Sequence, residues 1–356
     1  MNFPYKKIAI TGGAGFIGSN IAIKLKENYS GIQVIALDNL KRRGSELNLP
    51  RLKKSGVNFI HADIRDKKDL QRVSCDLVIE CSAEPSCTAG IDTGLDYVID
   101  TNLLGTVNCL DFASVNKADF LFLSTSRIYP FGKINSLDFD EEETRFSLAL
   151  GQEVPGVSEK GINEEFTLDG AKTFYGATKL ASEMIIKEYI YFKGLRALVN
   201  RCGVIAGPWQ MGKVDQGIVG FWLASHIFGR PLKYLGWEGS GKQVRDFLHI
   251  DDLFKLLELQ LKNFNKCDNC VFNVGGGADF SFSLKELTEV CQKVTNRKVP
   301  TTEDPSVRPG DVKWYITDTS KVSLEFDWKP KIKLEDTVAQ IAQWIKSDKE
   351  FLKGIL

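Results

Sequence analysis

The segment Ile8-Ala9-Ile10-Thr11-Gly12-Gly13-Ala14-Gly15-Phe16-Ile17-Gly18-Ser19 constrains the fold of this chain more than any other stretch. A short apolar run meets three glycines spaced three apart, Gly12, Gly15 and Gly18, and an amphipathic stretch follows. The pattern reads as a strand that turns directly into a helix. Gly12 permits the tight turn, Gly15 lets backbone approach a pyrophosphate, and Gly18 lets helix and strand pack closely. The first helical turn then offers N–H groups and the positive end of its dipole to the phosphates. A glycine turn without a ligand is the competing reading, and the flanking strand and helix weigh against it.

The rest of the first half keeps alternating in the same way. Lys7–Ile10, Gln33–Leu37, Asn58–His61, Leu77–Cys81, Asp119–Ser124 and Arg196–Arg201 read as strands, and the helical patterns fall near Ser19–Glu27, Leu95–Asn116 and Gly176–Phe192. Such alternation predicts an α/β fold, a doubly wound parallel sheet with helices on both faces. After Gly207-Pro208 tryptophans and glycines become frequent and strands short, with helical patterns at Asp251–Lys262 and Ser283–Thr295. The expected division is therefore a dinucleotide-binding domain over 1–206 and a smaller α/β substrate-binding lobe over 207–356, some segments of which return to the sheet. The stretch 136–172, long, polar and acidic, is expected to be a lid inserted in the first domain.

Composition narrows the function. Lys and Arg number 46, as do Asp and Glu, so the net charge is zero and no basic block marks a nucleic-acid or anionic-membrane partner. No apolar run reaches transmembrane length and no signal peptide precedes the first strand, so a cytoplasmic location is expected. The cysteines are scattered, and Cys267-x-x-Cys270 lacks the second pair or histidine that a zinc site needs, so no metal is expected.

Asp38 ends the second strand twenty residues beyond Gly18. A carboxylate there accepts hydrogen bonds from the ribose hydroxyls and repels a 2′-phosphate, which selects NAD over NADP. The run Lys41-Arg42-Arg43 beside it could be recruited by a 2′-phosphate, or else is a solvated loop. Asp63-Ile64, after the third strand, offers a carboxylate to the adenine amine and an apolar face to the ring, or else simply caps a strand end. Tyr175-x-x-x-Lys179 has the i,i+4 spacing that puts both side chains on one helix face. An ammonium close to a phenol favours the phenolate, which can then act as a general base on a sugar hydroxyl. Ser124-Thr125-Ser126 ends the fifth strand, at the sheet edge where open α/β proteins bind ligands.

On these motifs the chain resembles the extended short-chain dehydrogenase/reductase family of NAD-dependent epimerases and dehydratases. Further matches are Asn102 with Gly105-Thr106, Gly207-Pro208, Gly241–Phe247 and Arg308-Pro309-Gly310-Asp311. The resemblance implies a seven-stranded Rossmann domain, a nucleotide-sugar-binding lobe, and a homodimer built on the helices of the Asn102 and Tyr175 segments. It makes Thr125, Tyr175 and Lys179 catalytic. It extends the cofactor contacts to Phe16, Ile17, Asn39, Arg43, Ser82, Ala83, Asn102, Ser124 and Val204. Substrate contacts fall on Glu84, Thr125, Ser126, Arg127, Gln216, Gln243, Arg245 and Arg308. Arg245 and Arg308 are expected on the diphosphate, with salt bridges to Asp246 and Asp311 as the competing reading.

Within the family, Asp38–Gly44, His61–Arg65, Glu143–Phe146, Asp215-Gln216-Gly217 and Gly241–Asp246 look like the CDP-paratose 2-epimerase group, as does the long lid. The chain departs from that group at Ser82–Ser86 and at Tyr129-Pro130. Dehydratases carry Asp-Glu after the catalytic threonine, where this chain has Ser126-Arg127. The UDP-galactose 4-epimerases carry Arg-Tyr-Phe-Asn where it has Asn200-Arg201-Cys202-Gly203. The expected reaction is NAD-dependent epimerisation at C2 of a nucleotide sugar, through a transient keto sugar. A UDP-hexose or UDP-uronate 4-epimerase stays open as an alternative, and so does a catalytically silent NAD-binding regulatory protein.

Overall fold

The computed structural model describes residues 3–91, 94–149, 151–212 and 216–356. The chain forms two compact units that exchange it repeatedly. Unit 1 comprises Met1–Thr125, Phe174–Arg201 and Phe254–Phe272, and unit 2 comprises Ser126–Thr173, Cys202–Leu253 and Asn273–Leu356.

Seven strands make the main sheet: β1 Lys7–Thr11, β2 Gln33–Asp38, β3 Asn58–His61, β4 Leu77–Glu80, β5 Asp119–Thr125, β6 Ala197–Cys202 and β7 Val271–Val274. Their spatial order is β7-β6-β5-β4-β1-β2-β3. The pairings of β1 with β2 and β4, of β2 with β3 and of β4 with β5 are parallel. Continuous apolar runs such as Leu77-Val78-Ile79 and Phe120-Leu121-Phe122-Leu123 suit strands covered on both faces. The order of succession reverses between β1 and β4, which opens a crevice at the carboxyl ends of these strands.

Three helices of unit 1 matter for the site. Helix α1, Phe16–Asn28, follows β1 directly. Helix α2, residues 96–116, contains a π turn at Asp100–Leu104 between Asp96–Ile99 and Gly105–Asn116. Helix α3 is Phe174–Lys193. One face of the sheet buries Ala9, Leu37, Val78, Phe120 and Phe122 against Leu110 and Ile186 from α2 and α3.

In unit 2, Val244–His249 pairs with Val204–Ala206, Ser281–Ser283 and Trp314–Tyr315. Helix Leu284–Thr295 opens with a reciprocal cap between Ser283 and Glu286. The stretch 136–172, expected to be a lid, folds into two short hairpins, Phe139–Glu141 with Phe146–Leu148 and Val157–Ser158 with Gly161–Ile162. It is fastened down. Arg145 forms a fork onto Glu286 at 2.8 and 2.5 Å, Thr144 donates to the same carboxylate at 2.8 Å, and Ile162 bridges to Thr317. Among the described residues no helix is long and apolar enough to cross a membrane.

Candidate active site

The glycine turn is sterically determined. Gly12 has φ +63°, and a Cβ there would meet the Cys81 carbonyl at 2.8 Å and the Ser82 nitrogen at 2.9 Å. A Cβ at Gly18 would overlap the Gly12 carbonyl oxygen. Helix α1 starts at Gly15 with no side-chain cap, so its first N–H groups, at Phe16 and Ile17, have no capping side chain. Asp38 faces this turn: its carboxylate accepts the Ala14 N–H at 3.0 Å and the Leu40 N–H at 2.8 Å. Burial raises the Asp38 pKa, and the N–H groups of Leu40, Ala14 and Gly15 oppose the rise. A tight, uncapped helix start beside a buried carboxylate fits a dinucleotide in both shape and charge.

Around this cradle the other expected cofactor residues take distinct places. Asn39 donates to Asp63 at 3.0 Å, and Arg65 grips the same carboxylate through Nε and through Nη2 at 2.7 Å. That hydrogen-bonded guanidinium holds Asp63 down at about 2, so the acid is ionised and already engaged. Ile64 is buried, its Cδ1 filling the space that a Cβ on Gly105 would need. Arg43 is exposed on the loop after Asn39, and Ser82 and Ala83 are half-buried beyond the end of β4. Asn102, in the π turn of α2, is fully buried; its Oδ1 accepts the Glu84 N–H at 2.8 Å and its Nδ2 donates to the Glu84 carbonyl at 3.1 Å. The π turn, a feature frequent at functional sites, thus fixes the backbone of Glu84.

Ser124 and Thr125 are buried at the end of β5. Tyr175 is half-buried in the first turn of α3, and Lys179 stands one turn on, only 2% exposed. The Lys179 ammonium lies 3.8 Å from the centroid of the Phe122 ring. A buried ammonium against an aromatic face is held by the ring quadrupole, and it demands a balancing charge. One turn further, Glu183 accepts the Ser124 hydroxyl at 2.5 Å and pairs with Arg201 at 2.8 Å. Sequence reasoning missed Glu183, Arg201 as its partner, and Glu80. Their available signal was charge inside otherwise apolar strands, in Leu77-Val78-Ile79-Glu80 and Val199-Asn200-Arg201, and Glu183 four residues after Lys179.

Unit 2 carries a cavity lined by Ser126, Arg127, Tyr129, Thr173, Val204 and Arg245, among others. Arg127 donates to the Gly310 carbonyl at 3.1 Å. Arg245 is oriented by Asp311 at 2.7 Å and by the carbonyls of Val244 and Val312, each at 2.6 Å. Asp246 is not its partner; it accepts the Gly276 and Gly277 N–H groups and the Thr317 hydroxyl, and burial raises its pKa. Arg308 is half-buried, its carbonyl accepting the Asp311 N–H at 3.1 Å. Gln243 is buried and donates to the Leu235 carbonyl at 2.8 Å, which leaves its Oε1 without a hydrogen-bond partner. Gln216 is half-buried, and Asp215 lies outside the described residues.

The model of the NAD dependent epimerase/dehydratase family matches residues 8–275. The chain belongs to that family. It is 32% identical to the CDP-paratose 2-epimerase of Salmonella typhi, over 96% of this chain and 99% of that one. Among solved structures it resembles the UDP-glucose 4-epimerase of Thermotoga maritima (26% identity, TM-score 0.77, 96% and 99% of the two chains). It also resembles the UDP-glucuronic acid 4-epimerase of Bacillus cereus, solved with UDP-glucuronic acid and NAD (25% identity, TM-score 0.78, 96% and 99% coverage). This NAD-dependent epimerase/dehydratase is an enzyme with the Rossmann fold, and the family's cofactor is NAD.

Proposed function

We propose that this enzyme is a nucleotide-sugar epimerase that inverts C2 of its sugar, acting on CDP-paratose or a close analogue. The similarity to a CDP-paratose 2-epimerase along nearly the whole of both chains supports the substrate class and the carbon. The chemistry rests on one observation, the buried Lys179 ammonium one helical turn from Tyr175.

The Gly12–Gly18 turn, with Asp38 at the ribose, would hold NAD, which when bound would supply the hydride acceptor and donor for the sugar carbon. Tyr175, its phenolate favoured by Lys179, removes the proton of the C2 hydroxyl. Thr125 hydrogen-bonds the same oxygen and holds it in place. The resulting keto sugar turns over in the pocket and offers its other face to the returning hydride, and Tyr175 gives its proton back to the oxygen. Proton and hydride both come back to the sugar, so the reaction is an isomerisation.

Arg245 and Arg308 serve the diphosphate. A guanidinium carries five donors in a planar fork, and the bonds to Asp311, Val244 and Val312 fix the plane of Arg245. Glu84, Ser126, Arg127, Gln216 and Gln243 serve the sugar and base. Leu104 on α2 and Met184, Tyr191 and Phe192 on α3 are 50–81% exposed, an apolar face that supports a homodimer through these helices. A second reading, a UDP-uronate 4-epimerase, draws support from Arg127 and Arg245 lining one cavity, an arrangement suited to an acidic sugar.

Two measurements test the proposal. Tyr175→Phe should abolish turnover of the nucleotide sugar while leaving NAD binding intact; unchanged turnover would end the phenolate mechanism. In a thermal-shift comparison of CDP-, UDP-, GDP- and dTDP-sugars, CDP-paratose should raise the melting temperature most, because a ligand that binds only the folded state stabilises it by mass action. A UDP-sugar doing so instead would displace the CDP assignment.

A further inference from the structure

The proposed mechanism leaves one buried acid unused. Glu80 is the last residue of β4, fully enclosed, and its Oε1 accepts the Thr106 hydroxyl of α2 at 2.6 Å. Its Oε2 is buried without a hydrogen-bond partner. A carboxylate so placed is costly, because burial penalises the charged form unless an opposite charge compensates. The compensating charge is Lys179. In the parallel register Glu80 stands opposite Phe122 of β5, and it is the Phe122 ring that carries the Lys179 ammonium at 3.8 Å. In-register residues of parallel strands point to the same face, so the acid and the ammonium occupy neighbouring positions above one face of the sheet.

Among the described residues, the other groups around Glu80 add no second cation. From β1 comes Thr11, its register partner. Helix α2 presents Thr106 and Cys109, and α3 presents Lys179. Cys109 is fully buried and its thiol is pushed far up, first by burial and then by the negative field of Glu80, with Cys75 adding to the rise; it stays neutral. Among the charged groups that act on Glu80, the Lys179 ammonium is the one that favours its ionised form, helped by the Thr106 hydroxyl.

We propose that Glu80 is a positioning residue, a buried counter-charge that balances Lys179 and so sets how readily Tyr175 gives up its proton. This inference rests on the reading of Tyr175 as the base. An ionised Glu80 cancels part of the positive field that Lys179 exerts on the phenol and so keeps the phenol protonated to higher pH. Removing that negative charge strengthens the positive field of Lys179 at the phenol, and the phenol ionises earlier. Losing the Thr106 hydroxyl destabilises the ionised carboxylate and acts in the same direction, but less.

The test is a spectrophotometric pH titration of tyrosinate absorbance in the NAD-loaded protein, for wild type, Tyr175→Phe, Glu80→Gln and Thr106→Val, with circular dichroism to confirm folding. The tyrosine that ionises earliest in wild type should vanish in Tyr175→Phe. In Glu80→Gln its titration should move down by about one pH unit, the order expected of a single charge at side-chain separations in a partly polarisable interior. Thr106→Val should move it down by a smaller amount. If Glu80→Gln folds and leaves the titration in place while Tyr175→Phe removes it, the inference about Glu80 fails and the base assignment survives. If Tyr175→Phe removes no early-titrating tyrosine, both fall. Should Glu80→Gln not fold, an unmoved titration in Thr106→Val overturns the inference on its own.

Discussion

Arg201 and Glu183 form an ion pair at 2.8 Å with only 6% and 2% of their side chains exposed. The pair joins β6 to α3, and through the second carboxylate oxygen it holds the Ser124 hydroxyl at the end of β5. Arg201→Leu would leave Glu183 charged and unpaired in the interior, and breaking such a pair costs about 3–5 kcal/mol. Urea unfolding should register that loss for the single variant and a smaller one for Arg201→Leu combined with Glu183→Gln, which removes both charges. An Arg201→Leu protein as stable as wild type would contradict the picture.

At Gly18 a methyl group has nowhere to go but into the Gly12 carbonyl. Gly18→Ala should therefore open the turn, cost about 1–3 kcal/mol in overpacking, and weaken NAD binding at least tenfold, since about 1.4 kcal/mol of lost binding free energy is a factor of ten. Gly31→Ala is the control. Nothing lies within 4 Å of a Cβ at Gly31, and its stability and NAD affinity should match wild type. Calorimetric titration with NAD separates the two.

Asp38 accepts the N–H of Ala14, and on the proposed reading its charge repels a 2′-phosphate. Asp38→Asn keeps the size and removes the charge. The preference for NAD over NADP should fall by about tenfold, the value of one hydrogen bond to a charged acceptor, read as the ratio of the two dissociation constants. An unchanged ratio would remove Asp38 from cofactor selection.

Burial pushes Glu80 up from 4.5 to about 7. The folded protein therefore holds this proton over a range in which the unfolded chain has released it. Below pH 4.5 the acid is neutral in both states and carries no penalty; between 4.5 and about 7 stability falls as pH rises; above that the loss is complete. The full loss is roughly 3 kcal/mol. Glu80→Gln lacks this titration, so the stability difference between variant and wild type should shift in the variant's favour across that window. A difference that stays flat from pH 4 to pH 8 would show that Glu80 does not titrate in the folded protein.

Much of unit 1 was legible because its signals are local. The strand-turn-helix at Gly12–Gly18, the apolar runs of β1 to β6 and the long helices all carry their periodicity in the sequence, and each appears within a few residues of its expected bounds. The edge strand β7, Val271–Val274, does not stand out in the sequence because the buried Asn273 interrupts its apolar run. The ties of the stretch 136–172 to Glu286 and Thr317 are long-range contacts with no local signature in the sequence. The same holds for the site. Tyr175 and Lys179 announce themselves by spacing, whereas Glu80, Glu183 and Arg201 are single charges in apolar context, and only the packing reveals which partners they serve. Arg245 left two readings open in the sequence, and the structure resolves the salt-bridge partner as Asp311.

The central claim is that C2 is the carbon that reacts, and labelled substrate tests it most directly. CDP-paratose carrying deuterium at C2 should turn over with a primary isotope effect, and the same sugar labelled at C4 should turn over at the unlabelled rate. An effect at C4 with none at C2 would contradict the account and place the enzyme with the 4-epimerases.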